Sequence, residues 1–352
     1  MRKRPVAILG ATGAVGRRLA RMLVEHPWFE LAMLVGTSSS AGEAYGAVWE
    51  RKEEALARHY GLDTWTIDPC PALLADRRVD TFERLAQADI EVVFSSIPER
   101  AGELEDTLLA HNRRVFSNSP HGRFESNNPL VVTEINGAAI GENRFVKNPN
   151  CVSSGLCLVL AALESAYGLD EVSVTTFQSL SGRGDAKYPP DLVVGNVYPL
   201  HGSSENTETY IFREVHKILP VSCRLSVSCQ RVFVQEGHYV DVRVKTRRRG
   251  LDSGDVRERL AAYAPLQALK LPSAPARPLI VIEEPGRPRP SQDAWHAEGM
   301  AIAVGNVSTD DEVYDVRLNY VVNNLIRGAA GGAVLNAEYW HASAQARAVH
   351  GQ

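Results

Sequence analysis

Hydrophobic residues near the N-terminus fall in short runs separated by charged stretches. Residues 6–9 (VAIL) have strand length, and residues 17–26 carry Leu19, Met22 and Leu23 at helical spacing. Residues 31–35, 90–94 and 114–116 repeat the strand pattern, with helix-like segments at 83–88 and 102–111 between them. Strands alternating with helices predict an α/β domain built on a doubly wound, mostly parallel sheet covered on both faces. Beyond about residue 148 the texture changes. Residues 152–167 predict one helix that stops at Gly168, a glycine in the C′ position. Strands are predicted at 172–178, 231–235, 239–245, 279–282 and 301–304. Several alternate apolar and polar, which indicates an antiparallel sheet with one wet face. The Pro- and Arg-rich residues 272–290 read as a connector around one strand, and residues 321–344 as a long helix that crosses back to the first domain.

Between the first strand and the first helix lies GATGAVG, with Gly10, Gly13 and Gly16 at i, i+3 and i+6. Glycine permits a tight turn and close backbone approach, and a helix N-terminus presents free N–H groups to an anion. The spacing differs from G-x-G-x-x-G, so a dinucleotide phosphate loop and an ordinary glycine-rich turn are both open readings. An acidic residue at the end of the second strand would bind ribose hydroxyls and repel a 2′-phosphate. Here Gly36-Thr37-Ser38-Ser39-Ser40 follow that strand, and the first carboxylate is Glu43. Hydroxyls in that position favour NADP over NAD; the other reading is a plain polar loop.

Composition narrows the classes. A length of 352 residues suits two domains better than one. With 44% apolar and 23% charged residues the chain is no disordered polymer, and a net charge of −4 gives no footprint for nucleic acid. No apolar run approaches the ~18 residues of a membrane span, and the basic residues 1–5 run into the glycine loop instead of the apolar core of a signal peptide. The five cysteines (Cys70, Cys151, Cys157, Cys223 and Cys229) are scattered, without C-x-x-C metal spacing, as expected for reduced thiols in a cytoplasm and no metal site.

Cys151 differs from the others in position. Asn148-Pro149-Asn150-Cys151 places a proline just ahead of the helix, so Cys151 falls at the helix N-terminus. That end stabilises negative charge and is expected to lower a thiol pKa. Spacing alone leaves a nucleophile and a buried structural cysteine equally open. A thiolate needs a proton partner, and His238 stands out in Gln235-Glu236-Gly237-His238-Tyr239, where a turn between strands would expose it. On spacing alone a solvent-exposed hairpin tip is the better reading of His238. Arg231, on the preceding strand, is a cation able to hold an anionic substrate.

Together these stretches resemble the aspartate-semialdehyde dehydrogenase family, in its archaeal and fungal branch, over nearly the whole chain. Residues 10–16 resemble its cofactor loop, and residues 40–46 (SAGEAYG) are similar to its SAGKKYG stretch. Residues 117–123 (SNSPHGR) resemble SNASSHR, whose arginine holds the substrate phosphate, a role that falls on Arg123 with Asn118 nearby. Residues 148–151 (NPNC) match the nucleophile motif, and Gln178 in TFQSLSG matches the active-site glutamine. Arg231 and His238 match the arginine that grips the substrate carboxylate and the catalytic base. Residues 324–332 (NLIRGAAGG) resemble the helix that closes over the nicotinamide.

The resemblance implies an N-terminal Rossmann domain over 1–147, joined by a helix at about 323–344, and an α+β catalytic and dimerisation domain over 148–322, in a homodimer or homotetramer. It implies NADP, held by Gly10, Thr12, Gly13, Ala14, Val15, Gly16, Thr37, Ser38, Ser39, Ser40, Ser96 and Asn324. The implied reaction interconverts an acyl phosphate with an aldehyde and phosphate through a cysteine thioester, with aspartyl phosphate as the first substrate. The family's E-E-E-K-like run, which binds the substrate ammonium and phosphate, reads here as residues 202–208 (GSSENTE). Gapless alignment puts Ser203 in place of the glutamate and Asn206 in place of the lysine, with Glu205 or Glu208 as substitutes if the loop shifts. Arg183 and Lys187 stand where the family is small or apolar, either as a relocated cationic site or as solvated charges. Reductases of other acyl phosphates or thioesters (malonyl-CoA-reductase-like or N-acetylglutamyl-phosphate-reductase-like) are the alternative enzymes, and a non-catalytic NADP-binding protein is the alternative outside catalysis.

Overall fold

The computed structural model describes residues 3–61, 65–184, 187–203 and 205–350, without the side chains of 348–350. Met1 and Arg2 of the basic N-terminus, Asp185 and Ala186 of the 183–187 stretch, and Ser204 of the altered run lie outside the described residues.

The first sheet has five strands: β1 (Arg4–Leu9), β2 (Phe29–Val35), β3 (Val92–Ser95), β4 (Arg114–Ser117) and β5 (Phe145–Lys147). Their order is β2-β1-β3-β4-β5, and every pairing is parallel. Alternate residues point to opposite faces. Val6 and Ile8 thus join the core under α1 (Ala14–Leu23), while Ala7 and Leu9 pack with Leu85 and Leu108 on the other side. The chain leaves β1 towards β2 and returns on its other flank as β3, so a crevice opens at the carboxyl ends of β1 and β3, the switch point of such sheets.

The second sheet has seven strands, ordered β10-β11-β12-β9-β6-β8-β7. They are β6 (Leu169–Gln178), β7 (Val197–Pro199), β8 (Arg224–Val232), β9 (His238–Thr246), β10 (Leu279–Ile282), β11 (Ile302–Ser308) and β12 (Val316–Val322). The helix α2 (Cys151–Tyr167) packs on it through Leu156, Val159 and Leu163, against Val174, Val240, Val242 and Tyr320. Residues 152–160 of this helix are apolar or small on every side and all buried, and its surface emerges near the C-terminal end, at Glu164 to Ala166. Two further helices matter below: α3 (Thr207–Ile218) and α4 (Gly331–His350). Ala333, Val334, Ala337 and Trp340 of α4 share a core with Val6, Ile8 and Phe94 of the first sheet.

Three expectations are corrected. The second sheet is mixed: β6 pairs with β8, and β10 with β11, in parallel. The long connections from 179 to 223 and from 283 to 301 provide the crossovers that parallel pairing requires. The strand expected at 231–235 runs instead over Arg224–Val232, where Ser226, Ser228 and Gln230 dilute the apolar signal of Leu225, Val227 and Cys229. The helix expected from 321 begins later. Val321 and Val322 end β12, which pairs with β9 and β11, and a π-helical turn (Ile326–Ala330) precedes α4. Asn323 and Asn324 mark the junction between strand and helix.

Gly16 lies so close to the loop backbone that a Cβ there would stand 2.1 Å from the Gly10 carbonyl oxygen, whereas one at Gly42 (φ +79°) would meet nothing within 4 Å. Gly16→Ala should therefore cost roughly 2–3 kcal/mol, against about 1 kcal/mol of backbone strain for Gly42→Ala. Thermal unfolding of the two variants checks the order; equal losses would contradict it.

Candidate active site

The loops that carry the chemistry leave the same edges of the two sheets. Residues 10–16 follow β1, Ser96 follows β3, residues 118–123 follow β4, and Asn148 to Cys151 follow β5. On the second sheet β6 and β8 end, and antiparallel β9 begins, at one edge, which gathers Gln178, Arg231 and His238. Asn148 ties the junction: its Nδ2 donates to Asn118 Oδ1 (3.0 Å) and the Ala329 carbonyl (2.8 Å), and its Oδ1 accepts from Asn336 (2.7 Å).

Cys151 is the first residue of α2. Asn150 caps the helix, its Oδ1 accepting the Val152 N–H at 2.9 Å. Gly328 of the π-helical turn lies against it, so close that a Cβ on Gly328 would stand 2.6 Å from Cys151 Cβ. The Sγ atom is 3.0 Å from His238 Nε2.

His238 is neither on an exposed turn nor at a solvent-facing hairpin tip. It is the first residue of β9 and falls in phase with Val240, Val242 and Val244, the buried face under α2, with no exposed surface. Its Nδ1 accepts the backbone N–H of Ser179 at 3.0 Å. That bond assigns the neutral ring's hydrogen to Nε2, where it faces the sulfur. Ser179 Oγ donates to Asn324 Oδ1 (2.9 Å), which also accepts the Gly237 N–H (3.0 Å), while Asn324 Nδ2 donates to Ser181 Oγ (2.9 Å). Asn324 is thus the strut that holds the strands flanking His238.

The electrostatics reverse the expectation of a lowered thiol pKa. Burial pushes the Cys151 thiol up to about 11, outweighing the Arg231 cation and the N–H groups of the helix start. Burial, and then Arg231, hold His238 well below its usual value. The resting pair is a thiol and a neutral imidazole.

Arg231 is buried, with Nη1 on the Ser179 carbonyl (2.7 Å), Nε on the Tyr188 hydroxyl (3.1 Å) and Nη2 on Glu205 Oε2 (2.5 Å). The other Glu205 oxygen lies 3.8 Å from Arg183, whose guanidinium sits 4.7 Å over the Tyr188 ring. Of the two candidate carboxylates only Glu205 comes to Arg231. Glu208 is engaged by the Cys229 N–H (3.0 Å) and His201 (2.7 Å). Ser203 Oγ accepts the Glu205 N–H (3.3 Å), and Asn206 turns the chain into α3 in a left-handed conformation (φ +50°). Lys187 donates to the Ala55 carbonyl. Gln178 is level with Arg231 in the sheet, buried, and donates to Thr176 Oγ1 (3.1 Å). Arg123 is buried between Glu214 Oε1 (3.0 Å) and the Asn118 carbonyl (2.7 Å).

At the crevice Gly13 is the N-cap of α1 without a side-chain bond, which leaves the N–H groups of Ala14, Val15 and Gly16 to meet an anion. Gly10 is left-handed (φ +84°) and its carbonyl accepts from Ser96 Oγ (3.2 Å), while Thr12 is buried and receives Arg17 on its carbonyl (2.8 Å). Thr37, Ser38 and Ser39 are exposed, whereas Ser40 turns inward onto the Thr37 carbonyl (3.1 Å). Glu43 is held by Arg51 through two bonds (2.8 and 2.9 Å). Sequence reading missed one cation: the exposed Arg78 donates to the Gly42 carbonyl (3.2 Å) beside the serine loop, delivered there by a β-bridge with Ala44. This donor set fits a dinucleotide with an additional phosphate. Sequence reading also missed Glu214, which no spacing connects to the nucleophile.

Two family models describe most of the chain: the NAD binding domain of semialdehyde dehydrogenase over residues 5–143, and the semialdehyde dehydrogenase dimerisation domain over residues 160–327. The chain belongs to the semialdehyde dehydrogenase family. Among its relatives, the aspartate-semialdehyde dehydrogenase of Methanothermobacter thermautotrophicus is 34% identical over 95% of this chain and 97% of its own. The malonyl CoA reductase (NADP) of Metallosphaera sedula is 30% identical over 94% and 95%. The crystal structure of aspartate semialdehyde dehydrogenase with NADP from Candida albicans superposes with a TM-score of 0.80 at 26% identity, covering 97% of this chain and 99% of that one. As a semialdehyde dehydrogenase the chain is an oxidoreductase with a dinucleotide-binding domain of Rossmann type and a dimerisation domain. Among the described residues no helix is long and apolar enough to cross a membrane.

Only the thiolate is alkylated at an appreciable rate, so reactivity rises with pH up to the thiol pKa. With the thiol pushed up to about 11, the rate of Cys151 alkylation by iodoacetamide in the ligand-free protein should still be climbing at about pH 10. A plateau reached by about pH 8 would contradict this electrostatic picture.

Proposed function

We propose that this semialdehyde dehydrogenase is an NADP-dependent phosphorylating aldehyde dehydrogenase, interconverting aspartate semialdehyde and phosphate with aspartyl phosphate. The observation that carries the reading is the 3.0 Å contact of Cys151 Sγ with His238 Nε2, set beside the Arg231–Glu205 pair. A cation and an anion side by side complement the carboxylate and ammonium of an α-amino acid. Malonyl CoA reductase is the second reading, because Glu205 is already neutralised by Arg231 and Arg183, and a substrate with a carboxylate but no ammonium could replace it on Arg231.

In the oxidative direction Cys151 Sγ attacks the aldehyde carbon while its proton passes to the aldehyde oxygen, giving a neutral hemithioacetal whose hydroxyl proton is released to solvent when the hydride leaves. His238 Nε2–H donates first to the sulfur and then to the oxygen of the adduct. The bound nicotinamide supplies the hydride acceptor. Arg123 orients phosphate, whose oxygen attacks the thioester carbonyl and expels the Cys151 thiolate, again stabilised by Nε2–H. Gln178 lies at the same strand edge as Arg231 and completes the acyl pocket. Arg78, Thr37 and Ser39 would hold the 2′-phosphate, and Gly10 to Gly16 the pyrophosphate. The working division is a cofactor domain over 1–147, closed by the π-helical turn and α4, and a catalytic domain over 148–322, in a cytoplasmic homodimer or homotetramer. Separate apolar cores under the two sheets support the division.

Purified protein should reduce NADP with aspartate semialdehyde only when phosphate is present, and Cys151→Ala should abolish the activity. Glu205→Gln should raise the KM for the semialdehyde by about tenfold or more, the worth of one charge-assisted bond. Folded protein that binds NADPH yet shows no turnover would exclude aspartate semialdehyde. Arg78→Ala should raise the KM for NADP about tenfold and leave that for NAD unchanged; equal effects on both would remove Arg78 from the 2′-phosphate site.

A further inference from the structure

Next to the loop that carries Arg123 lies a buried ion pair that takes no part in bond making. Lys147 ends β5, beside Asn148, and Glu105 lies on the helix Glu103–Ala110; neither has any exposed surface. Lys147 Nζ is 3.4 Å from Glu105 Oε2 and donates at 2.6 Å to Ser117 Oγ, at the end of β4. The Ser117 hydroxyl donates to Glu105 Oε1 (2.6 Å) and accepts the Ser119 N–H (3.1 Å). With one hydrogen given and two received, that hydroxyl has no further bond to make. Ser119 stands in the loop between Asn118 and Arg123, and its own Oγ accepts the His121 N–H (3.3 Å). One hydroxyl thus ties the buried pair to the turn from which Arg123 projects.

Packing alone does not require this pair, because well-packed apolar side chains of the same volume are often as stabilising as a buried ion pair. The charged groups around Lys147 are Glu105 and Asp106 on one helix and Arg123 on the loop, with His121 held by Asp106 (2.9 Å). The ammonium also lies 4.1 Å over the Phe145 ring. Burial pulls Lys147 down to about 8; Glu105 and Asp106 oppose that pull, and Arg123 adds to it. With Lys147 charged the pair is neutral. Once Lys147 gives up its proton, a bare carboxylate remains behind the loop.

We propose that Lys147 is a positioning residue for the phosphate step: through Ser117 it fixes the turn that carries Arg123, and its charge cancels that of Glu105 behind the phosphate site. This rests on the reading of Arg123 as the phosphate cation. As pH rises past about 8, loss of the Lys147 proton uncovers Glu105, and phosphate binding weakens.

The readout is the rate of Cys151 alkylation by iodoacetamide, with inorganic phosphate as the protecting ligand and the phosphate-free rate at each pH as reference. It requires no turnover. Wild-type protein should need roughly tenfold more phosphate for half protection at about pH 9.5 than at about pH 7.5, the effect of one uncompensated charge close behind the site. Lys147→Met combined with Glu105→Gln removes both charges and keeps both shapes, so its half-protecting concentration should change by less than about twofold over the same range. Ser117→Ala leaves both charges and breaks the tie to Ser119. At the lower pH it should need about fivefold more phosphate than the wild type, while keeping the wild-type pH dependence.

A wild-type value that does not move with pH, or a double variant that follows the wild type, overturns the charge role of Lys147. Ser117→Ala that matches the wild type at the lower pH overturns the positioning through Ser117. No protection of any of these proteins at any concentration overturns the phosphate reading of Arg123 and this proposal with it. If the double variant does not fold, Glu105→Gln decides the matter. It removes the carboxylate that Lys147 would uncover, so the pH dependence should vanish, and its persistence overturns the proposal.

Discussion

The hydrogen bond from the Ser179 backbone to His238 Nδ1 governs the chemistry of the whole site. It assigns the ring hydrogen to Nε2, 3.0 Å from Cys151 Sγ, in surroundings that keep the imidazole neutral and the thiol protonated. Holding that geometry requires the end of β6, the start of β9 and the first turn of α2 to meet within a hydrogen bond of one another. Asn324, just beyond β12, braces the first two, and Gly328 allows the π-helical turn to close against the third. The neutral ring therefore presents its Nε2–H to the sulfur as a hydrogen donor, its other nitrogen being occupied by the Ser179 N–H.

Around that pair the charges are arranged in couples. Arg231 is matched with Glu205, and Arg123 with Glu214, each cation buried and each answered by one carboxylate. On the proposed reading Glu205 stays beside Arg231, which supplies the cation for the substrate carboxylate while Glu205 supplies the anion for its ammonium. The membership of the chain in the semialdehyde dehydrogenase family agrees with this plan, and its relatives include both an aspartate-semialdehyde dehydrogenase and a malonyl CoA reductase. The 202–208 run is where those two substrate types would be told apart, because it is the source of Glu205.

Legibility followed the range of the interactions. The glycine loop and the Asn150–Cys151 helix start were readable because backbone freedom and capping are decided within a few residues. The burial of His238 was not, because it depends on β9 starting one residue earlier than the apolar pattern suggested and on which face of the strand α2 covers. The rule that a helix N-terminus lowers a thiol pKa is local too, and it lost to burial, a property of the assembled core. Glu214 and Arg78 were invisible for a similar reason. Glu214 meets Arg123 across 91 residues of chain and Arg78 meets Gly42 across 36, and nothing in either local segment announces the partner. The mixed order of the second sheet belongs with these, since long crossovers decide parallel pairing and leave no periodic trace.

The account turns on where the hydrogen of His238 resides. Side-chain nitrogen NMR of uniformly labelled, ligand-free protein at about pH 7 reads that directly, with His238→Asn to assign the signal. The prediction is one protonated nitrogen, Nε2, and an unprotonated Nδ1. Two protonated nitrogens would mean an imidazolium beside a thiolate, and would contradict both the neutral pair and the donor role assigned to His238.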